Sequence, residues 1–118
     1  MTAVVVEDDP DIRALLEALL APMGYTVHVA ADGAEALRLA DRVHPDLVTL
    51  DLGLPDMDGL EVARRLRSRC DASLVVVSAR PDAESVAARA GVAVDGFVLK
   101  PFRPAEVRER LRQVLDAA

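Results

Sequence analysis

Short apolar runs rich in valine and leucine alternate along the chain with longer segments in which apolar residues recur every three to four positions. The runs predict buried strands, and the segments between them predict amphipathic helices. Five such strands are predicted, at residues 3–6, 26–29, 47–50, 74–77 and 96–99. Strands and helices in strict alternation are typical of an α/β fold, a parallel sheet with helices on both faces. The second run is the most polar, so we expect its strand at an edge of the sheet.

The predicted helices differ in how firmly the pattern supports them. The first helix has Asp9 as its expected N-cap, Pro10 at its first position and a continuous apolar stripe. The fourth helix, roughly residues 82–90, has only small or sparse apolar positions. Its inward candidates are Val86, Ala87 and Ala90. Because it buries little apolar area, we expect the fourth helix to be held less firmly than its neighbours.

Length and composition limit the kinds of protein this chain can be. A chain of 118 residues with 52% hydrophobic and 29% charged residues predicts one folded domain, residues 1–118, and excludes a disordered chain. The net charge of −6 argues against direct contact with nucleic acid through bulk electrostatics. A single cysteine and the absence of a long apolar leader predict a cytoplasmic protein that does not contact a membrane.

Charged and hydroxyl side chains follow the predicted strands at their carboxyl ends. Strand one is followed by an acidic cluster, strand three by Asp51, strand four by Ser78 and strand five by Lys100. The cluster consists of Glu7, Asp8 and Asp9. In open α/β sheets these ends meet at one edge, where ligands bind. Neighbouring carboxylates repel each other, so we expect a divalent cation, and Mg²⁺ fits because it needs fewer protein ligands than Ca²⁺.

Lys100 is the only lysine among the fourteen basic residues, and the others are arginine. A compact ammonium at a strand end, in a chain that otherwise uses arginine, indicates a place where a broad guanidinium does not fit.

Together, these segments resemble the receiver domain of response regulators, the CheY-like proteins of two-component signal transduction. The resemblance rests on the acidic cluster, on residues 51–59 (DLGLPDMDG), on Ser78 with Ala79, and on the sequence Lys-Pro-Phe at 100–102. It covers the whole chain, and the motifs follow successive strands in the right order. The resemblance implies a doubly wound, flavodoxin-like sheet of five parallel strands in the order 2-1-3-4-5, which the hydrophobic pattern alone leaves open.

The resemblance also implies how phosphorylation takes place. Asp51 is the implied phosphoacceptor, which receives a phosphoryl group from a phosphohistidine of a sensor histidine kinase or phosphotransfer protein. Asp8, Asp51 and the backbone carbonyl of Gly53 are the implied ligands of Mg²⁺, and Glu7, which replaces the commoner Asp, is expected to act through water. Ser78 and Lys100 are expected to hold phosphoryl oxygens.

A switch at the helix 4, strand 5 and helix 5 surface is the implied consequence. Phosphorylation is expected to draw Ser78 toward the phosphoacceptor and to let Phe97, the switch aromatic, rotate inward. This surface would control an output domain or effector protein and could form a homodimer. The peptide bond before Pro101 is expected to be cis, and Arg80 is expected near the phosphoryl group. The protein is expected to be a switch that assists its own phosphorylation and dephosphorylation, and not an enzyme.

Gly96 departs from the winged-helix DNA-binding class of these regulators, in which an acidic residue is common at that position. Without that acidic residue, Arg110 lacks the partner with which it would pair across a dimer in that class. This weakens the expectation of a DNA-binding output. The sequence does not distinguish a stand-alone receiver from part of a longer protein.

Three other functions fit the sequence less well. A flavodoxin-type cofactor binder is excluded because Glu7, Asp8 and Asp9 would repel its phosphate. A magnesium phosphatase with an aspartyl nucleophile would carry that nucleophile after strand one with a second Asp two residues later, an arrangement absent here. A receiver-like module that is never phosphorylated is disfavoured by the intact acidic cluster and Ser78.

Overall fold

The computed structural model describes residues 1–117; residue 118, the last position of the predicted domain, lies outside the described residues. Strands and helices alternate as predicted. The strands are β1 (Thr2–Val6), β2 (Thr26–Ala30), β3 (Leu47–Leu50), β4 (Ser73–Ser78) and β5 (Gly96–Leu99). The helices are α1 (Pro10–Leu20), α2 (Gly33–Val43), α3 (Gly59–Arg69), α4 (Ala83–Arg89) and α5 (Pro104–Ala117), with a 3-10 helix at Ala21–Met23 after α1. No helix among residues 1–117 is long and apolar enough to cross a membrane.

All strand pairs are parallel, and the strand order is β2-β1-β3-β4-β5, which confirms the topology that the resemblance implied. The most polar strand, β2, lies at an edge as predicted. The prediction of a buried strand holds only in part for strand five, because β5 forms the opposite lateral edge and its last residue, Leu99, is 52% exposed. An edge strand has a neighbour on one side only, so its terminal side chain remains in contact with solvent.

The core has two layers, one on each face of the sheet. Successive strand residues point to opposite faces. In β1, Val4 and Val6 therefore pack with α2, α3 and α4, whereas Ala3 and Val5 pack with α1 and α5. Because both faces are covered, the charged side chains gather at the carboxyl edge of the sheet.

Aspartates begin three of the helices by accepting backbone N–H bonds. Asp9 accepts from Asp11 and Ile12 at the start of α1, which confirms the predicted cap. Asp32 and Asp58 play the same part for α2 and α3. Asp82 precedes α4, but its side chain makes no such bond.

Gly96 lies against side chains of α5. A Cβ atom at this position would lie 2.8 Å from Cγ2 of Val114 and 3.4 Å from Cδ of Arg110. A side chain at position 96 would therefore need the Val114 side chain or α5 to shift, whereas glycine needs no such change.

Candidate phosphoacceptor and metal site

The β1 side of the site consists of a buried and an exposed carboxylate. The backbone N–H of Glu7 continues the pairing of β1 with β2 by donating to the carbonyl of Ala30 at 2.9 Å. This bond holds the Glu7 side chain at the edge of the core, where the residue is only 1% exposed. Asp8, the next residue, is exposed. The chain thus leaves the sheet with one carboxylate in the interior and one at the surface.

Asp51 lies directly after β3, the middle strand of the sheet. Its N–H donates to the carbonyl of Val6 at 3.0 Å, which sets it beside the end of β1. Its Oδ1 accepts the N–H of Gly53 at 3.1 Å. Carboxylate oxygens of Glu7, Asp8 and Asp51 lie within 4.8 Å of one another. The structure therefore brings together three of the four acidic residues that the sequence predicted at this edge, and the fourth, Asp9, caps α1.

Lys100 joins this cluster from the far side of the sheet. Its Nζ lies 2.7 Å from Oε1 of Glu7 and 3.5 Å from Oδ2 of Asp51. Its backbone N–H donates to the carbonyl of Ser78 at 2.8 Å, which connects the ends of β4 and β5. The Lys100-Pro101 peptide bond is cis, as the resemblance implied. The predicted convergence of strands one, three, four and five on one site is present.

The ion pair between Glu7 and Lys100 was not foreseen from the sequence. Burial raises the pKa of Glu7 from 4.5 to about 7, although Lys100 and the N–H of Asp9 favour its charged form. Burial acts to lower the pKa of Lys100, but the hydrogen bond and charge of Glu7, together with the charge of Asp51, raise it above its ordinary value. Lys100 is therefore a cation at neutral pH, and Glu7 titrates near neutrality.

Ser78 and Arg80 form the β4 side of the site. Ser78 is 3% exposed, and its Oγ accepts the N–H of Arg80 at 3.1 Å. The guanidinium of Arg80 donates to both carboxylate oxygens of Asp82, at 3.1 and 3.2 Å. This pair lowers the pKa of Asp82. The Arg80 side chain, which was expected near the phosphoryl group, thus forms an ion pair with Asp82 just before α4.

Phe97 is half-buried on β5 and packs against the layer that contains α4. With Val76, Arg80 and Ala83 it lines a small cleft of about 120 Å³ between β4, β5 and α4. The cleft lies beside the element that the resemblance assigns to the switch. The rotation of Phe97 stays a prediction.

Asp56 is a residue of this region that the sequence reasoning missed. Its Oδ1 accepts the N–H of Gly33 at 2.8 Å, and its Oδ2 accepts the N–H of Ala34 at 3.0 Å. These bonds lower the pKa of Asp56. Because the partners are more than twenty residues away in sequence, no local pattern signals this contact.

The residues present fit Mg²⁺. Mg²⁺ prefers carboxylate and carbonyl oxygens, and the cluster offers carboxylate oxygens from three residues. A larger surface groove of about 740 Å³ lies near Met1, Tyr25 and Leu115, at the end of the sheet where the strands begin. It contains none of the predicted site residues.

Comparisons with known proteins agree with this geometry. The family model of the response regulator receiver domain matches residues 3–112. The transcriptional regulatory protein KdpE of Mycobacterium tuberculosis is 43% identical over 113 residues, which are 95% of this chain and 50% of that protein. The DNA-binding response regulator MtrA of Mycolicibacterium smegmatis is 38% identical over 117 residues, 96% of this chain and 51% of that protein. The chain thus spans about half the length of the curated relatives it matches.

A solved structure shows the same likeness in three dimensions. The response regulator protein TrrA from Thermotoga maritima, in complex with Mg²⁺-BeF, matches with a TM-score of 0.82 and 33% sequence identity. The match covers 96% of this chain and 97% of that chain. By the family model, the curated relatives and the shared fold, the chain belongs to the response regulator receiver domain family.

Proposed function

We propose that the carboxylate of Asp51 accepts a phosphoryl group from a phosphohistidine of a sensor histidine kinase or phosphotransfer protein. One observation carries this proposal: Asp51 lies in a cluster of three carboxylates, and the only lysine of the chain closes that cluster. An Asp51 oxygen attacks phosphorus, the P–N bond breaks, and the imidazole leaves with the bonding electrons. Such a transfer depends mainly on alignment and on neutralised charge.

The residues around Asp51 supply the alignment. Gly53 holds one carboxylate oxygen through its N–H, and the Lys100 ammonium lies near the other. Asp8, Asp51 and the backbone carbonyl of Gly53 would hold Mg²⁺, with Glu7 acting through water. When bound, Mg²⁺ offsets the negative charge shared by the carboxylates and the incoming phosphoryl oxygens. Ser78 and Lys100 then hold the transferred oxygens by hydrogen bonding and charge.

Phosphorylation is coupled to the surface formed by α4, β5 and α5. A phosphoryl group adds negative charge and acceptor oxygens, which attract the Ser78 hydroxyl. Movement of Ser78 opens space that Phe97 fills. The cleft beside Phe97 borders α4, so rotation of this ring changes the packing of α4. The chain is a switch that assists its own phosphorylation and dephosphorylation, and it does not turn over a separate substrate as an enzyme does.

An output domain or effector protein reads this surface, which also serves a homodimer. The similarity to the transcriptional regulatory protein KdpE and to the DNA-binding response regulator MtrA favours an output that regulates transcription, through residues other than those of this chain. This chain itself makes no direct contact with nucleic acid because of its net charge of −6. Its place of action is the cytoplasm, where its free Cys70 stays reduced. Residues 1–118 act as one receiver domain.

The test is incubation with acetyl phosphate and Mg²⁺, followed by intact mass measurement and peptide mapping. We expect one phosphoryl group per chain, on Asp51, that is absent when EDTA replaces Mg²⁺. Asp51→Asn is the control and is expected to remain unmodified. An adduct on another residue, or none, contradicts the proposal. Steady hydrolysis of phosphomonoesters that persists in Asp51→Asn would favour the aspartyl phosphatase alternative instead.

A further inference from the structure

The loop between β3 and α3 is fastened to another part of the molecule by one carboxylate. Asp56 lies in this loop and accepts two backbone N–H bonds, from Gly33 and Ala34, at the beginning of α2. Bonds from backbone N–H groups to an ionised carboxylate are stronger than bonds between neutral groups, and the positive end of the helix dipole adds to them. The contact therefore joins the loop that follows Asp51 to the helix that follows β2.

The start of α2 binds carboxylates from two parts of the chain. Asp32 already caps the helix locally, with its side chain accepting the N–H of Glu35 at 2.8 Å. Asp56 reaches the same helix from outside, across 22 and 23 positions of sequence. What the second carboxylate adds is thus a fixed position for the loop.

Close packing keeps this arrangement in place. A Cβ atom at Gly33 would lie 2.8 Å from Val62 and 2.9 Å from Met57, so the lack of a side chain at Gly33 lets the loop lie against the helix. At the other end of the loop, the N–H of Gly59 donates to the carbonyl of Leu52 at 3.2 Å. The loop is thus fixed at Gly59 and again at Asp56.

The part of the loop that is fixed in this way contains the metal-site residues. Gly53 stands three positions before Asp56, and its N–H orients the Asp51 carboxylate at 3.1 Å. A loop that drifted away from α2 would carry Gly53 with it. Both the Gly53 carbonyl and the Asp51 carboxylate would then lose the geometry that a small, strictly octahedral ion requires.

We propose that Asp56 is a positioning residue of the receiver site: by tying the β3–α3 loop to the start of α2, it sets the affinity of the site for Mg²⁺. This inference rests on the proposed function, since it takes Asp51 and Gly53 as metal ligands. Asp56 itself is not one of the clustered carboxylates, which belong to Glu7, Asp8 and Asp51. Outer residues that orient metal ligands typically change metal affinity by about 10- to 100-fold when removed.

The test compares two aspartates that contact the same helix. Mg²⁺ titration of wild type, Asp56→Ala and Asp32→Ala, followed by the backbone amide signals of residues 7–8 and 51–53 in NMR, gives the dissociation constants. We expect Asp56→Ala to bind Mg²⁺ about tenfold more weakly and Asp32→Ala to bind like wild type. In the metal-free proteins, hydrogen exchange is expected to quicken at residues 53–57 in Asp56→Ala only.

Two further outcomes separate the possible failures. If wild type binds Mg²⁺ and Asp56→Ala binds it equally well, the positioning role is wrong while the proposed function stands. If wild type neither binds Mg²⁺ at these residues nor becomes phosphorylated on Asp51, the proposed function fails first. Should Asp56→Ala not fold, Asp56→Asn, which keeps one acceptor oxygen, is expected to show a smaller weakening in the same titration, and unchanged affinity there overturns the inference.

Discussion

Helices α3 and α4 lie on the same face of the sheet but are held there to different degrees. Helix α3 has eleven residues, begins with a cap from Asp58, and buries five residues along its first two turns; these are Gly59, Leu60, Val62, Ala63 and Leu66. Helix α4 has seven residues and buries only Ala83 and Ala87. Of the inward positions predicted for it, Ala87 is buried, whereas Val86 and Ala90 are only partly so.

The difference bears on the proposed function, in which the loop before α3 holds Asp51 and Gly53 in place while α4 moves. Metal-ligand distances must be kept to about 0.2 Å. An element that buries little apolar area opens and shifts at a lower cost in free energy. Under the proposal, a signal worth a few kcal/mol would displace α4 while α3 and its loop stay in place.

Truncation of a core residue in each helix is expected to show the largest contrast. Leu66→Ala in α3 removes a side chain that is 3% exposed, so we expect the free energy of unfolding to fall by about 3 kcal/mol. Val86→Ala in α4 removes a partly buried side chain and is expected to cost about 1 kcal/mol. Urea denaturation of both variants measures these values. Equal losses would show that α4 is as firmly packed as α3.

A second, smaller effect is expected where the loop meets α3. In Gly59→Ala the new Cβ would lie 2.4 to 2.9 Å from the backbone of Leu52, so the loop must move, at a cost of about 2 kcal/mol. The matched control is Gly53→Ala, whose Cβ would meet only Asp51 Oδ1, at 3.8 Å. Thermal unfolding measured side by side tests the difference. A Gly59→Ala protein as stable as Gly53→Ala would mean that the loop is not closed tightly.

The Glu7–Lys100 pair, which connects the two sides of the site, is tested by the pH dependence of the free energy of unfolding. Because burial raises the pKa of folded Glu7 from 4.5 to about 7, the folded protein holds more protons than the unfolded one between these values. Stability of the metal-free protein relative to Glu7→Gln is therefore expected to fall as pH rises from 4.5 to 7, by at most about 1.4 kcal/mol per pH unit. Urea denaturation in EDTA at several pH values measures it. If the stability of the wild type relative to Glu7→Gln instead rises with pH, the burial of this carboxylate is contradicted.

The fold could be predicted from the sequence because each element repeats its signal locally. Alternating apolar runs located all five strands, and Asp9 marked the start of α1. The strand order came from the resemblance and not from periodicity, since many orders bury the same residues. The exposure of Leu99 was missed because an apolar run at a sheet edge has the same composition as one in the middle.

The sequence predicted which residues gather at the site, but it did not predict which of them form ion pairs or hydrogen bonds with one another. The residues that follow β1, β3, β4 and β5 had to meet because the carboxyl ends of parallel strands share one edge. Which carboxylate pairs with Lys100 depends on side-chain length and burial, so the ion pair with Glu7 emerged only from the coordinates. The contact of Asp56 with α2 was invisible for a related reason, because it joins segments that are distant along the chain.

The isolation of Lys100 has one more consequence, for chemical modification of the protein. Acylation or methylation of lysine side chains in this sequence can occur at position 100 and nowhere else. Acylation there would neutralise the ammonium that lies between Glu7 and Asp51 and leave a buried carboxylate without its cation. The side chain is 14% exposed, so such reagents reach it slowly. Any modification of a lysine side chain on this molecule therefore alters the carboxylate cluster of the proposed phosphoacceptor site.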